Sequence, residues 1–237
     1  MNKLTIKARS MARSIGLTRL YYRFVPRGGY EEKFQNAIMA ELQPGDLLWD
    51  IGANVGLYTR IFAEKAGGTG RVYAFEPVPT LYAELCRRTS EFPWVQNEQI
   101  ALSDFDGSSR MLKGKTDRLG HLETYSGEAD GAVSFDVRVM RADSYVESSK
   151  ATPNLVKIDV EGFEEEVLAG MTRLLAAPEL RAVFLEVHFA ILESRGRSEA
   201  PIRIEKLLRS SGLMPRWVDS SHIVAKRKPG ETASTLH

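Results

Sequence analysis

Asp46-Leu47-Leu48-Trp49-Asp50-Ile51-Gly52-Ala53-Asn54-Val55-Gly56-Leu57-Tyr58 joins an apolar run to an acidic residue, a turn with two glycines, and the start of a helical pattern. Strand, glycine turn and helix in that order predict the first unit of a doubly wound α/β domain. In such open sheets ligands bind beyond the carboxyl ends of the strands. Gly52 and Gly56 lack the Cβ that would keep a ligand off the backbone. The spacing is Gly-x-x-x-Gly, not the Gly-x-Gly-x-x-Gly that suits a pyrophosphate. A glycine turn that serves only strand–helix packing has the same appearance.

One strand later, Arg71-Val72-Tyr73-Ala74-Phe75-Glu76-Pro77 ends in a second acidic residue. A carboxylate about 20 residues past such a loop receives the hydroxyls of a ribose in folds of this kind. Glu76 lies a little further along, which a longer first helix accommodates. Alone it is an ordinary strand-end charge; with the loop it points to a nucleoside-type ligand.

Asp50 to Thr59 and Ala74-Phe75-Glu76-Pro77 resemble the S-adenosylmethionine loop and ribose carboxylate of class I methyltransferases. Lys157-Ile158-Asp159-Val160-Glu161-Gly162-Phe163-Glu164, Leu168-Ala169-Gly170 and Leu185-Glu186-Val187-His188 are similar to FkbM-type methyltransferases in particular. The resemblance implies a Rossmann-like class I fold: a mostly parallel central sheet flanked by helices, with N-terminal helices added. It also implies S-adenosylmethionine as cofactor and methyl transfer to a hydroxyl of a saccharide or natural product. The cofactor residues expected on this basis are Asp50, Gly52, Ala53, Asn54, Gly56, Tyr58, Glu76 and Pro77, with Ala101 and Asp104 near the base. As a turn residue before Asp106-Gly107, Asp104 needs no ligand.

The 237 residues, 43% hydrophobic and 27% charged, suit one soluble domain with an appendage. A net charge of +1 makes no case for a nucleic-acid partner. The single Cys86 excludes an internal disulfide and a cysteine-based zinc site, and is expected as a small core residue. No apolar run approaches the ~20 residues of a membrane span, and no secretory signal is evident, so a cytoplasmic protein is expected. Residues 1–29 carry Lys3, Lys7, Arg9, Arg13, Arg19, Arg23 and Arg27 without an Asp or Glu, among apolar residues at helical spacing. That segment is read as a packed helix, a lid, a helix on an anionic membrane surface, or an organelle presequence. The catalytic domain is expected over 30–226 and a disordered tail over 227–237.

Along the domain, helices are expected at Tyr30–Leu42, after Gly56 with Leu57, Ile61 and Phe62 inward, at Pro79–Thr89, and from Pro201 to Gly212. Val95–Leu102 reads as one strand and its exit. The polar stretch 105–135 has no clear period. Phe163, Val167, Leu168, Met171, Leu174 and Leu175 form one inward helical stripe, with Glu164, Glu165 and Glu166 as its solvated start. Further strands are expected over 134–140, 153–159, 181–188, 213–218 and 222–225.

The chemistry is expected where Lys157–Glu161 and Glu186–His188 meet the cofactor crevice. An alcohol acceptor needs a base or a metal to assist it. His188, Asp159 and Glu161 are the candidate bases; Glu161 is equally a helix cap, and His188 equally structural. Lys157 would pair with one of these carboxylates or make the acceptor hydroxyl more acidic. Asp159, Glu161, Glu186 and His188 offer ligands of the kind Mg²⁺ or Mn²⁺ accepts, but their spacing demands no metal and none is predicted. Two other classes stay open: a non-catalytic cofactor- or glycan-binding module, and a nicotinamide-dependent oxidoreductase. The latter is disfavoured by the missing Gly-x-Gly-x-x-Gly. An RNA or protein acceptor is disfavoured by basic residues confined to one segment.

Overall fold

The computed structural model describes residues 28–113, 120–123 and 133–227. Helix α1 (Gly28–Glu41) precedes an alternating run: β1 (Leu47–Ile51), α2 (Leu57–Ala66), β2 (Arg71–Phe75), α3 (Pro79–Thr89) and β3 (Val95–Glu98). A β-rich insertion follows, made of β4 (Ala101–Leu102), β5 (Gly107–Lys113), β6 (Gly120–Glu123) and β7 (Val133–Met140). Alternation resumes with α4 (Ala142–Ser149), β8 (Leu155–Ile158), α5 (Glu164–Ala169), α6 (Thr172–Ala176), β9 (Ala182–Glu186), α7 (Phe189–Ser194) and α8 (Ala200–Ser210). The hairpin β10 (Leu213–Trp217) and β11 (His222–Arg227) closes the described chain.

The larger sheet has the order β10-β11-β9-β8-β1-β2-β3, parallel except for β11. The chain runs from β1 outward to β3 and then returns to β8 on the other side of β1. The order therefore reverses between β1 and β8, where such sheets open their ligand crevice.

Both faces of this sheet are covered, which is why its strands read as apolar runs. Successive side chains point to opposite faces. Leu48, Leu155, Phe184 and Val224 meet Phe34, Ile38, Phe62 and Ala63 of α1 and α2. Trp49, Ile51, Val156, Ile158, Val183 and Leu185 meet Val167, Leu168, Leu175, Ile204 and Leu208 on the opposite face. Trp49 is fully buried, its ring 5.1 Å from that of Phe75 and 5.3 Å from that of Tyr145.

Several expectations need correction. Leu57 is 62% exposed, because the buried face of α2 is the stripe Thr59, Phe62, Ala63 and Ala66. Cys86 is only partly buried. The strand expected over Val95–Leu102 is two strands: β3 ends the large sheet, while β4 begins a second sheet of order β4-β7-β5-β6. That second sheet holds the described part of the unreadable 105–135 stretch. The stripe from Phe163 to Leu175 is two short helices. They part at Gly170, whose backbone packs so tightly on the chain that an added Cβ would lie 1.8 Å from the Ser103 carbonyl oxygen. The expected basic N-terminal helix and the tail beyond Arg227 lie outside the described residues.

Candidate active site

Parallel register places Asp50 of β1 beside Lys157 of β8. Lys157 Nζ lies 3.0 Å from Asp50 Oδ1 and 3.6 Å from Asp159 Oδ2, and donates to the Gly52 carbonyl at 3.1 Å. Thr59 Oγ1 donates to Asp50 Oδ2 at 2.7 Å, so the ion pair is what serves Oδ1. Both charged side chains are almost wholly buried, at 0% and 2% exposure. Burial alone would lower the Lys157 pKa; the charges of Asp50 and Asp159 outweigh it and hold the ammonium well above its ordinary value. Lys157 is thus engaged by protein groups on three sides.

The turn after β1 is pinned by Gly52 and Ala53, whose N–H groups both donate to the Phe75 carbonyl at 3.0 Å. Gly52 has φ +78°, and an added Cβ would lie 1.8 Å from the Asp159 carbonyl oxygen. At Gly56 the added atom would meet Leu85 Cδ1 at 2.8 Å. Protein therefore crowds both glycines, and the turn's compactness is a packing requirement as well as an opening for a ligand. Glu76 accepts from the Asn54 N–H through Oε2 and from the Val78 N–H through Oε1, each at 2.9 Å. Burial raises its pKa to about 7, against the pull of those two N–H groups.

Gly52, Asn54 and Glu76 border a solvent-open cleft with a cavity volume of about 130 Å³. Gly52, Asn54, Glu76, Pro77 and Ala101, named from the sequence as cofactor residues, line it. Val78, Leu81, Leu102 and Met111 add an apolar wall, for which β4 and β5 supply two residues. Asp50, Ala53, Gly56 and Tyr58 are not among the lining residues; Tyr58 lies with its ring 5.4 Å from Lys157 Nζ. Asp104 is exposed and stands outside the lining.

Asp159, Glu161 and Phe163 also line the cleft. Ile158 pairs with Leu185 in parallel register, so the residue just after β8, Asp159, comes level with Glu186. His188 Nε2 lies 3.3 Å from Glu161 Oε2, 3.6 Å from Asp159 Oδ1 and 3.9 Å from Glu186 Oε1. The backbone helps: Glu161 (φ +50°) and Gly162 (φ +93°) are both left-handed and turn the chain sharply after β8. Burial raises the pKa of Asp159 and of Glu161. For His188, burial lowers the pKa, but the Glu164 hydrogen bond and the neighbouring carboxylates carry it up to about 9.

Glu164 corrects an expectation. It is not solvated but fully buried, its Oε1 2.7 Å from His188 Nδ1 and accepting from the Gly162 N–H at 2.8 Å. Glu165 and Glu166 are not solvated either: at 16% and 11% side-chain exposure they pair with Arg195, Arg197 and Arg203. His222 and Asp219 were not anticipated. Antiparallel register sets His222 of β11 opposite Glu186, with Nε2 3.6 Å from Glu186 Oε2 and Nδ1 2.8 Å from Asp219 Oδ2.

Residues 50–212 match the family model of the methyltransferase FkbM domain. Over 163 residues the chain is 31% identical to the hexuronic acid methyltransferase AglP of Haloferax volcanii, covering 68% of this chain and 64% of that protein. It is 31% identical over 177 residues to the 31-O-demethyl-FK506 methyltransferase FkbM of Streptomyces tacrolimicus, covering 62% of this chain and 67% of that one. The chain thus spans slightly under two thirds of the first relative's length. Among solved structures it resembles cofactor-bound Rv0187 from MTB, with TM-score 0.52 and 15% identity over 91% of this chain and 88% of that one. An rRNA methylase from Streptococcus thermophilus gives TM-score 0.50 and 9% identity over 86% and 99%. At those identities the likeness concerns the fold alone. With the family model running from Asp50 through both charged strand ends to Gly212, the chain belongs to the FkbM family of S-adenosylmethionine-dependent methyltransferases, on a class I Rossmann-like fold.

Proposed function

We propose that the protein methylates a hydroxyl of a saccharide or a related natural product, using S-adenosylmethionine. The observation that carries this reading is one cleft lined both by a buried carboxylate, Glu76, and by Asp159 and Glu161, which lie beside His188. The residues present fit the cofactor. Glu76 is a desolvated carboxylate of the kind that accepts from paired hydroxyls, Asn54 and Gly52 border it, and Val78, Leu81 and Leu102 offer an apolar wall for a base. When bound, S-adenosylmethionine supplies an electrophilic methyl: the acceptor oxygen's lone pair forms the O–C bond as the C–S pair returns to sulfur.

The protein's share is to orient the hydroxyl, exclude water and receive its proton. Orientation alone can contribute roughly 7–11 kcal/mol. Asp159 and Glu161 line the cleft and have raised pKa values, so either is a better proton acceptor than an ordinary carboxylate. A saccharide acceptor is favoured by the hexuronic acid named for the Haloferax relative.

The test is calorimetric titration with S-adenosylmethionine, S-adenosylhomocysteine and NAD, followed by mass-spectrometric screening of uronic-acid-containing saccharides. We expect both adenosyl compounds to bind, NAD not to, and Glu76→Ala to weaken binding. Asp159→Asn should keep cofactor affinity and lose about 10²–10⁴-fold in turnover. Binding of NAD alone would overturn the reading in favour of an oxidoreductase. Cofactor binding with turnover indifferent to Asp159 and Glu161 would favour a binding module.

A further inference from the structure

We infer that Asp159, Glu186 and His188 form a site for a divalent cation of the Mn²⁺ or Mg²⁺ class, set to receive the acceptor's hydroxyl beside the cleft that Asp159 lines. The cation site rests on the side chains alone; its use in methyl transfer rests on the function proposed above.

The ligand atoms, one imidazole nitrogen and two carboxylate oxygens, all lie within 4.8 Å of one another. They come from the ends of two adjacent buried strands. The Nε2 separations of 3.6 and 3.9 Å from Asp159 and Glu186 exceed the 2.7–2.9 Å of a charge-assisted hydrogen bond. Ligands about 2.1 Å from one octahedral ion stand about 3.0 Å apart when neighbouring and about 4.2 Å when opposite. The two Nε2 spacings fall between those limits. Mixed imidazole and carboxylate donors suit a hard or borderline divalent ion.

A second shell, built from other residues, supports the assignment. Glu164 occupies His188 Nδ1 at 2.7 Å, which leaves Nε2 facing Asp159 and Glu186, with Glu161 beside them. Metal-binding histidines are characteristically held in this way. Glu186 is divided: Oε1 faces His188, while Oε2 faces His222, itself held by Asp219. The Glu164 carboxylate that holds His188 is fully buried, and its Oε2 lacks a hydrogen-bond partner. Asp159, Glu161, Glu164 and Glu186 gather around one imidazole, while Lys157 is shared with Asp50. Positive charge is short at this spot, and a cation supplies it. Glu161, outside the triad and 37% exposed, lies 3.3 Å from His188 Nε2 at the rim of this group. A hydroxyl held by a divalent ion gives up its proton more readily.

The experiment is titration of the chelator-stripped full chain with MnCl₂, without cofactor, following free Mn²⁺ by electron paramagnetic resonance. We expect a saturable site that Mg²⁺ competes for. Glu186→Gln and His188→Ala should abolish it, and Glu164→Gln should weaken it about 10–100-fold. S-adenosylmethionine affinity, measured separately, should stay within about twofold in the folded variants. In the unaltered protein Mn²⁺ should broaden the His188 ring resonances in NMR spectra, a readout that needs no variant. No saturable binding, binding indifferent to Glu186→Gln and His188→Ala, or unbroadened His188 resonances would overturn the inference. Failure of the unaltered protein to bind S-adenosylmethionine would instead strike the methyl-transfer reading and leave the Mn²⁺ result standing.

Discussion

At the β1–β2 end of the cleft the charges are matched in place. Asp50 has Lys157 and Thr59, and Glu76 has two backbone N–H donors. At the β8–β9 end, carboxylates outnumber their cationic partners, and the side chains stay partly exposed: Asp159 27%, Glu186 32%, Glu161 37%. The first end is a closed frame that shapes a loop. The second retains unspent charge and room, which is where an acceptor, its proton and a cation have reason to go. Buried ion pairs stabilise only when nearly ideal, so the first end has little tolerance for change.

Removing Lys157 would break the closed frame outright. Lys157→Met leaves Asp50 buried without its counter-charge and should cost about 3–5 kcal/mol in urea unfolding. A loss under about 1 kcal/mol would show that the pair does not hold the frame. Gly52→Ala comes next: it adds a left-handed penalty and drives a Cβ into the Asp159 backbone, for about 2–4 kcal/mol. Gly56→Ala should cost less, about 1–2 kcal/mol, because the end of the Leu85 side chain can yield.

Glu76→Gln sharpens the comparison by leaving the frame standing and weakening the cofactor. We expect a loss of about 1.5–3 kcal/mol in S-adenosylmethionine affinity by calorimetry. Its pH dependence has a definite sign. With the free-protein pKa raised to about 7, Glu76 binds a proton below that pH. A ligand that prefers the carboxylate must displace the proton, so affinity should fall by up to about tenfold per pH unit on acidification below 7. Affinity independent of pH from 8 to 5 would remove Glu76 from the site. The same raised pKa makes ionised Glu76 a cost to the free fold, absent below pH 4.5 and complete above 7.

The smallest effects separate neighbours on one helix. Glu164→Ala strips a buried N–H and an imidazole of their acceptor and should cost about 1–3 kcal/mol. Glu165→Gln, whose Arg203 partner is half exposed, should cost under about 1 kcal/mol by thermal unfolding. Equal costs would mean that the buried and outer glutamates are not distinguished as the structure distinguishes them.

Much of the closed frame was legible. The glycine turn, the apolar run into Asp50 and the strand into Glu76 are local signals, and Gly52, Asn54, Glu76 and Pro77, which they picked out, line the cleft. Glu164 was missed although a signal existed. It shares the i, i+3, i+4, i+7 face of Val167, Leu168 and Met171, all buried, but the three-glutamate run hid it. His222 and Asp219 offered no such signal, because their relation to Glu186 depends on β11 pairing antiparallel with β9. The 105–135 stretch was opaque for another reason: its described strands form a separate sheet with polar, exposed positions and no sustained period.

By itself the sequence determined the alternation of strands and helices, the sharp turn after β1 and the acidic residues at strand ends. Those features depend on side chains a few positions apart, whose period and backbone preferences act before the chain folds. Only the tertiary structure decided that Lys157 neutralises Asp50, that Glu164 turns His188 toward two carboxylates, and that His222 backs Glu186. Each of these rests on strand register and burial, which set residues distant in the chain within a few ångströms of one another and remove the water that would otherwise separate their charges.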